Sequence, residues 1–140
     1  MRRLYLDASA IIYLAEGHDL FGASTERRVL QHISSDQQAK LLTSRLSWLE
    51  CRVRPLRDGN SRLLEYYDDF FAGERLVLAD VANNIIERAT ELRARYRFKT
   101  PDALHLATAI EHGADAVLTG DPAWRRCSEE VKVEVIEADQ

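Results

Sequence analysis

The segment TPDALHLATAIEHGADAVLTGD, residues 100–121, constrains the fold more than any other part of this chain. Thr100 is typical of a helix cap, Pro101 of a first helical turn and Gly113 of a helix end. The apolar residues between them recur at helical spacing. Residues 116–119 (AVLT) then form a short apolar run, as a central parallel strand does. A helix followed closely by a buried strand favours an α/β fold with parallel strands.

Four carboxylates are predicted to meet at one edge of this sheet. Asp102 lies at the start of the helix described above, and Asp121 directly follows its strand. Asp7 follows the first predicted strand, and Glu50 lies in the helix after the second. Because a helix in a parallel α/β sheet begins where a strand ends, all four can reach the rim at which open α/β sheets bind ligands.

The remaining chain alternates strands and helices. Strands are predicted at residues 3–6, 40–43, 76–79, 116–119 and 131–136, the last at an edge or with one covered face. Helices are predicted at residues 9–15, from 24 or 25 to about 33, from a Ser44 cap to just before Pro55, at 62–71, after an Asp80 cap, and from 100. The pattern predicts one domain, residues 1–140, with a three-layer α/β/α sandwich and a mostly parallel central sheet.

Composition excludes several classes of protein. With 46% hydrophobic and 30% charged residues, the 140-residue chain resembles an ordinary soluble domain, and no apolar run approaches the length of a membrane span. The N-terminal sequence MRRLYLDASAIIYLA is not read as a signal peptide, because Asp7 interrupts its apolar part. Cys51 and Cys127 are far apart and form no CxxC motif, so neither a structural zinc site nor a disulfide scaffold is expected. We expect a cytoplasmic protein.

The net charge of −4 does not indicate nucleic-acid binding, but the basic residues are clustered. Nearly all of them are arginine, which suits bidentate contacts to phosphate. They are concentrated in two segments, residues 45–62 and 93–99. The alternative is that both segments are solvated helix faces. The candidate RNA-binding residues are Arg45, Arg52, Arg93, Arg95, Arg97 and Lys99.

Packed carboxylates repel one another, and a bound cation removes that repulsion. An all-oxygen ligand set without cysteine suits Mg²⁺ or Mn²⁺, and such a site with flanking arginines suits phosphodiester hydrolysis. Each acid also has a structural explanation. Asp7 could cap a helix, Asp102 could favour a helix dipole, Asp121 could form a turn with Pro122, and Glu50 could pair with Arg54.

Several neighbours of the acids have open roles. Ser9 and Thr119 could hold a carboxylate, or cap and pack. His105 could serve as a general base, although a partly inward-facing helix residue is the commoner arrangement. Trp124 could pack internally or contact substrate. A cluster of aromatic residues could meet a helix of a partner or be entirely internal. Its members are Tyr66, Tyr67, Phe70 and Phe71.

The motifs LYLDASAIIYL, LLTSRLSWLECRVRP and KTPDALHLATAIEHGADAVLTGD together resemble a PIN domain, in particular a VapC-type toxin of a type II toxin–antitoxin system. The resemblance implies that Asp7, Glu50, Asp102 and Asp121 bind metal, with Ser9 and Thr119 in support. It also implies a Mg²⁺- or Mn²⁺-dependent endoribonuclease that leaves a 5′-phosphate, forms a homodimer and is blocked by a cognate antitoxin. Family members often carry an Asn or another Asp near the last acid, whereas Pro122 directly follows Asp121 here, so the resemblance implies that a second metal would be weakly held or absent.

Three other functions remain possible from the sequence. A phosphatase of the haloacid-dehalogenase type also begins with a strand that ends in Asp, but it needs a second Asp where this chain has Ser9. A PIN-like nuclease could process RNA without being a toxin. A PIN-like module could bind RNA or protein without cleaving it, although the complete set of acids argues against this.

Overall fold

The computed structural model describes residues 2–138; Met1, Asp139 and Gln140, which the predicted domain of residues 1–140 includes, lie outside the described residues. One five-stranded sheet forms the middle layer, and all of its strand pairs are parallel. Its order is β3-β2-β1-β4-β5. The strands are β1 (Arg3–Leu6), β2 (Lys40–Ser44), β3 (Leu76–Ala79), β4 (Ala116–Thr119) and β5 (Val133–Val135). The last strand lies at an edge, as predicted, but is shorter than residues 131–136.

Helices cover both faces of the sheet, which confirms the predicted α/β/α sandwich. They are α1 (Ala8–Glu16), α2 (Gly22–Ile33), α3 (Arg45–Asp58), α4 (Ser61–Phe71), α5 (Asn83–Tyr96) and α6 (Thr100–Glu111), followed by a 3₁₀ helix (Pro122–Cys127). Because side chains alternate along a strand, Tyr5 packs in the core beneath α5 and α6, whereas Leu4 and Leu6 pack in the core on the opposite face. No helix within residues 2–138 is both long enough and apolar enough to cross a membrane.

Local capping brings acidic residues to the carboxyl edge of the sheet. Asp7 follows β1, and its side chain caps α1 by accepting a hydrogen bond from the Ala10 amide. Asp121 follows β4 and caps the 3₁₀ helix in the same way. The end of α6 lies at the opposite edge, where the Arg3 guanidinium donates to the His112 carbonyl at 2.6 Å. The start of α6, with Asp102, therefore lies at the carboxyl edge.

The predicted end of α3 before Pro55 is wrong, because the helix continues to Asp58. Proline lacks an N–H group, so its place in the helix interior removes one helical hydrogen bond. Here Pro55 is buried, and its packing offsets that loss. Gly59, at φ 69°, ends the helix in the left-handed conformation that favours glycine.

Three predicted helix starts also differ from the structure. Helix α2 begins at Gly22, and Thr25 donates its hydroxyl to the Phe21 carbonyl at 2.6 Å instead of capping the helix. Helix α5 begins three residues after Asp80, with Ala82 before its first residue. Thr100 is the first residue of α6 rather than its cap, and its hydroxyl accepts a hydrogen bond from Arg93. In these places tertiary contacts outweigh local capping preferences.

Candidate active site at the carboxyl edge of the sheet

An open cleft of about 410 Å³ lies at the carboxyl edge of the sheet, and all four predicted acids line it. Asp7 and Asp121 come from the ends of β1 and β4, Glu50 from α3, and Asp102 from the start of α6. The other lining residues are Ala8, Ser9, Tyr13, His105, Gly120, Pro122 and Trp124. The structure thus brings the four acids to one cavity, while their roles in catalysis and metal binding stay predictions.

Asp7 is the most tightly held of the acids. Its side chain is only 6% exposed. One carboxylate oxygen accepts hydrogen bonds from the Ser9 hydroxyl at 2.6 Å and the Ala10 amide at 2.9 Å, and the other accepts from the Thr119 hydroxyl at 2.6 Å. Burial raises the pKa of Asp7 above its ordinary value, and these three hydrogen bonds partly oppose that rise. Both predicted supporting hydroxyls therefore contact the same carboxylate.

The supporting hydroxyls also join the ends of β1 and β4. The Gly120 amide donates to the Ser9 hydroxyl oxygen at 3.0 Å, and the Asp121 amide donates to the Thr119 hydroxyl oxygen at 3.1 Å. Position 120 has no room for a side chain, since an added Cβ would lie 2.7 Å from the Tyr13 hydroxyl oxygen. This backbone and hydroxyl network fixes the position of Asp7 relative to Asp121.

Glu50 is oriented by a buried histidine and tyrosine. Its Oε1 atom lies 2.6 Å from Nε2 of His105, whose Nδ1 lies 2.6 Å from the Tyr5 hydroxyl. Burial raises the pKa of Tyr5 well above its ordinary value, so the hydroxyl keeps its proton. An ionised Glu50 only accepts hydrogen bonds, so Nε2 of His105 must carry the proton that lies between them. If the His105 ring is neutral, its Nδ1 has no proton and accepts a hydrogen bond from the Tyr5 hydroxyl.

These contacts decide between the alternatives given above for Glu50 and for His105. The possible pairing of Glu50 with Arg54 is wrong, because Arg54 pairs with Asp58 and Glu50 faces His105. His105 is 3% exposed, and both of its ring nitrogens are engaged by protein groups. Its geometry is that of a residue that orients Glu50 rather than one with a free nitrogen for a general base.

The cleft has an unbalanced charge. Asp102 is half-buried and its side chain forms no hydrogen bond or ion pair with residues 2–138, whereas the exposed Asp121 accepts from the Ala123 amide at 2.9 Å. None of the described residues that line the cleft is a lysine or an arginine. The carboxylates therefore share one cavity without a basic side chain that offsets their charge.

The donor chemistry fits a hard cation, since the cleft offers carboxylate and hydroxyl oxygens and no thiolate. Within the described chain, however, no three His, Cys, Asp or Glu side chains are close enough together to hold a metal ion as they stand. An ion in the cleft would therefore be held by fewer than three of these side chains together with water, or by side chains that move.

The profile of the PIN domain family matches residues 4–130. The chain belongs to this family. No curated protein sequence matches it significantly. The fold agrees with three solved structures: VapBC2 from Rickettsia felis bound to a DNA fragment from its promoter, DNA-bound VapBC from Salmonella typhimurium, and VapC20 from Mycobacterium tuberculosis, a Sarcin-Ricin loop cleaving toxin.

These likenesses extend over nearly the whole chain. The Rickettsia structure is 16% identical, with 96% of this chain and 99% of that chain covered and a TM-score of 0.77. The Salmonella structure is also 16% identical, with 96% and 98% covered and a TM-score of 0.74. For the Mycobacterium toxin the identity is 18%, the coverage 94% and 98%, and the TM-score 0.72. At such identities the likeness concerns the fold.

None of the six predicted RNA-binding residues lines the cleft of this PIN domain. The guanidinium groups of Arg45 and Arg52 lie 4.6 and 4.4 Å from the ring centre of Trp48, and Arg52 also pairs with Asp68. These contacts hold both groups against the surface of α3 and α4, so a phosphate that they contact would lie outside the cleft.

The basic residues of the segment 93–99 differ in their contacts. Arg93 donates to the Phe98 carbonyl and the Thr100 hydroxyl, both at 3.0 Å, and so joins α5 to α6. Arg95 pairs with Glu130 at 3.2 Å. The exposed side chains of Arg97 and Lys99 form no hydrogen bond or ion pair with other described residues. Because they lie just before α6, these two remain the best placed to contact RNA near the cleft.

Tyr13 was not among the site residues predicted from the sequence. The one feature that could have indicated a place in the cleft was its position on the helix that Asp7 caps. Trp124, for which substrate contact was one possibility, is 1% exposed and lies with its ring centre 5.8 Å from that of His105. Its buried Nε1 has no hydrogen-bond partner in the described chain. Trp124 thus mainly forms an apolar wall behind His105.

The aromatic cluster on α4 has both internal and exposed members. Tyr67 and Phe71 are buried, and the Tyr67 hydroxyl donates to Glu16 at 3.0 Å. Tyr66 is 47% exposed. The alternative in which the whole cluster is internal is therefore wrong.

Proposed function

We propose that this PIN-domain protein is a Mg²⁺- or Mn²⁺-dependent endoribonuclease that acts as the toxin of a toxin–antitoxin pair. The observation that carries the proposal is the convergence of Asp7, Glu50, Asp102 and Asp121 on one cleft without a basic lining residue. Carboxylates in such a group resist joint ionisation unless a cation is present. The neighbouring folds, which include a toxin described as cleaving the Sarcin-Ricin loop, support RNA as the substrate.

Asp7, Asp102 and Asp121 would hold the cation, with Glu50 completing the site or orienting the attacking water. When bound, Mg²⁺ or Mn²⁺ increases the acidity of water and offsets the negative charge that develops on the phosphate. Ser9 and Thr119 hold the Asp7 carboxylate in place through 2.6 Å hydrogen bonds. His105 holds Oε1 of Glu50, which leaves Oε2 for the cation or the water.

The expected reaction is hydrolysis of the bond between phosphorus and O3′. The water oxygen forms the new bond to phosphorus, O3′ leaves and takes up a proton, and the products carry a 5′-phosphate and a 3′-hydroxyl. Glu50 would either complete the cation site or orient that water, and its hydrogen bond to His105 holds the side chain for either role.

The proposed partners are RNA, a cognate antitoxin and a second copy of the chain in a homodimer, all in the cytoplasm. Solved toxin–antitoxin complexes of this fold support an antitoxin partner. Tyr66, Leu49 and Val53 expose apolar surface on α3 and α4, which suits a partner helix. Light scattering after gel filtration tests the dimer, which the proposal predicts for the purified toxin alone.

Cleavage of RNA by the purified, partner-free protein tests the nuclease. The reaction is run with Mg²⁺, with Mn²⁺ and with EDTA, beside an Asp102→Asn variant. Because the Asp102 side chain makes no hydrogen bond within residues 2–138, this substitution should leave the fold intact. We expect cleavage that needs the metal, disappears in the variant and yields 5′-phosphate ends.

Other results would contradict the proposal in distinct ways. Cleavage that persists in EDTA and in Asp102→Asn would contradict a role for the four acids. RNA binding without cleavage under any condition would favour a binding module. Hydrolysis of a small phosphate monoester, with RNA left intact, would favour a phosphatase.

A further inference from the structure

Tyr13 offers the cleft an uncommitted hydrogen-bond donor. The carboxylates of Asp7, Glu50 and Asp121 all accept hydrogen bonds from protein groups. Tyr13 lines the same cleft, and its hydroxyl has no hydrogen-bond partner among residues 2–138. A polar group left free inside a binding cleft is available for a ligand.

The hydroxyl lies close to the residues that hold Asp7. A Cβ atom added at Gly120 would be 2.7 Å from the Tyr13 hydroxyl oxygen and 3.3 Å from the Ser9 hydroxyl oxygen. The Tyr13 oxygen is therefore beside the glycine that separates Thr119 from Asp121. A group bound at the four acids would therefore share the cleft with Tyr13.

The Tyr13 ring packs against two other aromatic rings. Its centre lies 5.0 Å from the centres of both Phe21 and His18, and these two rings stack on each other at 4.9 Å. Such packing restricts the ring and so keeps the hydroxyl in place. A donor that is fixed in advance needs no reorganisation when charge develops on the substrate.

The hydroxyl carries its proton at neutral pH, as tyrosine ordinarily does, and partial burial and the nearby Asp7 carboxylate raise the pKa of Tyr13 further. The cleft lining in the described chain contains neither lysine nor arginine. A phosphate that enters would therefore meet four acids, a cation held by them, and very few protein donors.

We propose that Tyr13 is a catalytic residue whose hydroxyl donates a hydrogen bond to a non-bridging oxygen of the scissile phosphate. The inference rests on the proposed nuclease function and extends it to a residue outside the four acids. The hydrogen bond becomes stronger as negative charge builds on the phosphate oxygens, so it should act mainly on the chemical step.

Tyr13→Phe tests this role, because phenylalanine keeps the ring packing against Phe21 and His18 and removes only the hydroxyl. Cleavage sites are first mapped in purified ribosomal RNA with the wild-type protein and Mn²⁺. An oligoribonucleotide that contains the strongest site then serves as the substrate. We expect kcat to fall by about 100-fold, as when one transition-state donor is removed, while KM changes much less.

Two further measurements separate a donor from a merely structural residue. Mn²⁺ affinity, followed by electron paramagnetic resonance, should be the same in wild type and Tyr13→Phe. A single phosphorothioate at the cleaved position should slow wild type for one stereoisomer, because sulfur accepts hydrogen bonds poorly, and Tyr13→Phe should lose that difference. Mn²⁺ is used because it tolerates sulfur better than Mg²⁺ does.

Tyr96→Phe is the matched control, since its hydroxyl contacts Glu129 outside the cleft. If wild type and Tyr13→Phe cut at the same rate while Asp102→Asn is inactive, the inference is overturned and the nuclease stands. Loss of Mn²⁺ binding in Tyr13→Phe would also overturn it. Failure of wild type to cut any RNA would instead contradict the proposed function and, with it, the role of Tyr13.

Discussion

Two buried histidines of this protein make nearly the same contacts in different electrostatic surroundings. His32, on α2, lies between Arg2, whose Nη2 is 2.8 Å from Nδ1, and Glu134, whose Oε2 is 2.7 Å from Nε2. Arg28 also pairs with Glu134, at 3.4 Å. In this cluster two arginines accompany one carboxylate, so the negative charge of Glu134 is balanced within the protein.

His105 has the same arrangement without the arginines. It lies between the neutral Tyr5 hydroxyl and Glu50, and the neighbouring acids of the cleft have no basic residue among the lining side chains that the structure describes. If the acids of the cleft served stability alone, basic side chains could offset their charge, as arginines do around Glu134. The unbalanced carboxylates therefore support the proposal that a cation and a substrate complete this site.

Removal of the Asp7 charge should produce the largest change. For Asp7→Asn we expect Mn²⁺ affinity to fall by more than about 100-fold, beyond the effect of losing an outer-shell partner. Burial opposes ionisation of Asp7, so the neutral variant should be at least as stable as wild type. Urea denaturation without metal should therefore give a free energy of unfolding equal to or above that of wild type. A variant that binds Mn²⁺ normally, or that is strongly destabilised, would make Asp7 a structural cap instead.

Loss of the Tyr5 hydroxyl should have a smaller effect on the same site. Tyr5→Phe leaves Nδ1 of His105 without its partner, so Glu50 becomes less well oriented. We expect Mn²⁺ affinity and cleavage to fall by about 10-fold, the lower end for an outer-shell residue. Isothermal titration calorimetry gives the affinity. An unchanged affinity together with lower stability would limit Tyr5 and His105 to packing.

The balanced cluster should respond in stability alone. Glu134→Ala removes the acceptor for the buried Nε2 of His32, which should lower the free energy of unfolding by about 1–3 kcal/mol. Urea denaturation measures this change. RNA cleavage, assayed well below the unfolding transition, should equal that of wild type. If Glu134→Ala lowers cleavage as much as Tyr5→Phe does, the cluster around His32 also affects the reaction, and the contrast between the two histidines is wrong.

The smallest effect is expected outside the cleft. Lys99→Gln should lower the slope of log affinity against log salt for RNA by about one, if Lys99 contacts one phosphate. Fluorescence anisotropy at several salt concentrations gives that slope. Arg88→Gln is the control, because Arg88 pairs with Glu111 at 3.1 Å and does not line the cleft. Equal slopes for the two variants would place the RNA away from the start of α6.

Local sequence rules predicted much of this molecule. The parallel sheet, most of its helices and the placement of Asp7 and Asp102 follow from short-range patterns: apolar periodicity, caps and the direction of βαβ crossovers. The end of α3 was missed because burial of Pro55 outweighs the loss of one hydrogen bond.

The contacts that distinguish the two histidines were beyond those rules. Tyr5 and His105 are 100 positions apart, and Glu50 and His105 are 55 positions apart. A single sequence does not show which side chains come into contact when they are so far apart along the chain. For the same reason it did not show that Arg95 pairs with Glu130, or that Tyr13 lines the cleft.

The central claim is that the four acids form one cation site, and a crystal soaked in Mn²⁺ tests it most directly. Anomalous scattering at the manganese edge locates the ion without reference to any assumed chemistry. The account predicts a peak in the cleft, within coordination distance of Asp7 and of at least one of Asp102 and Asp121. Saturating Mn²⁺ that gives no peak there, or a peak at another place only, would contradict it.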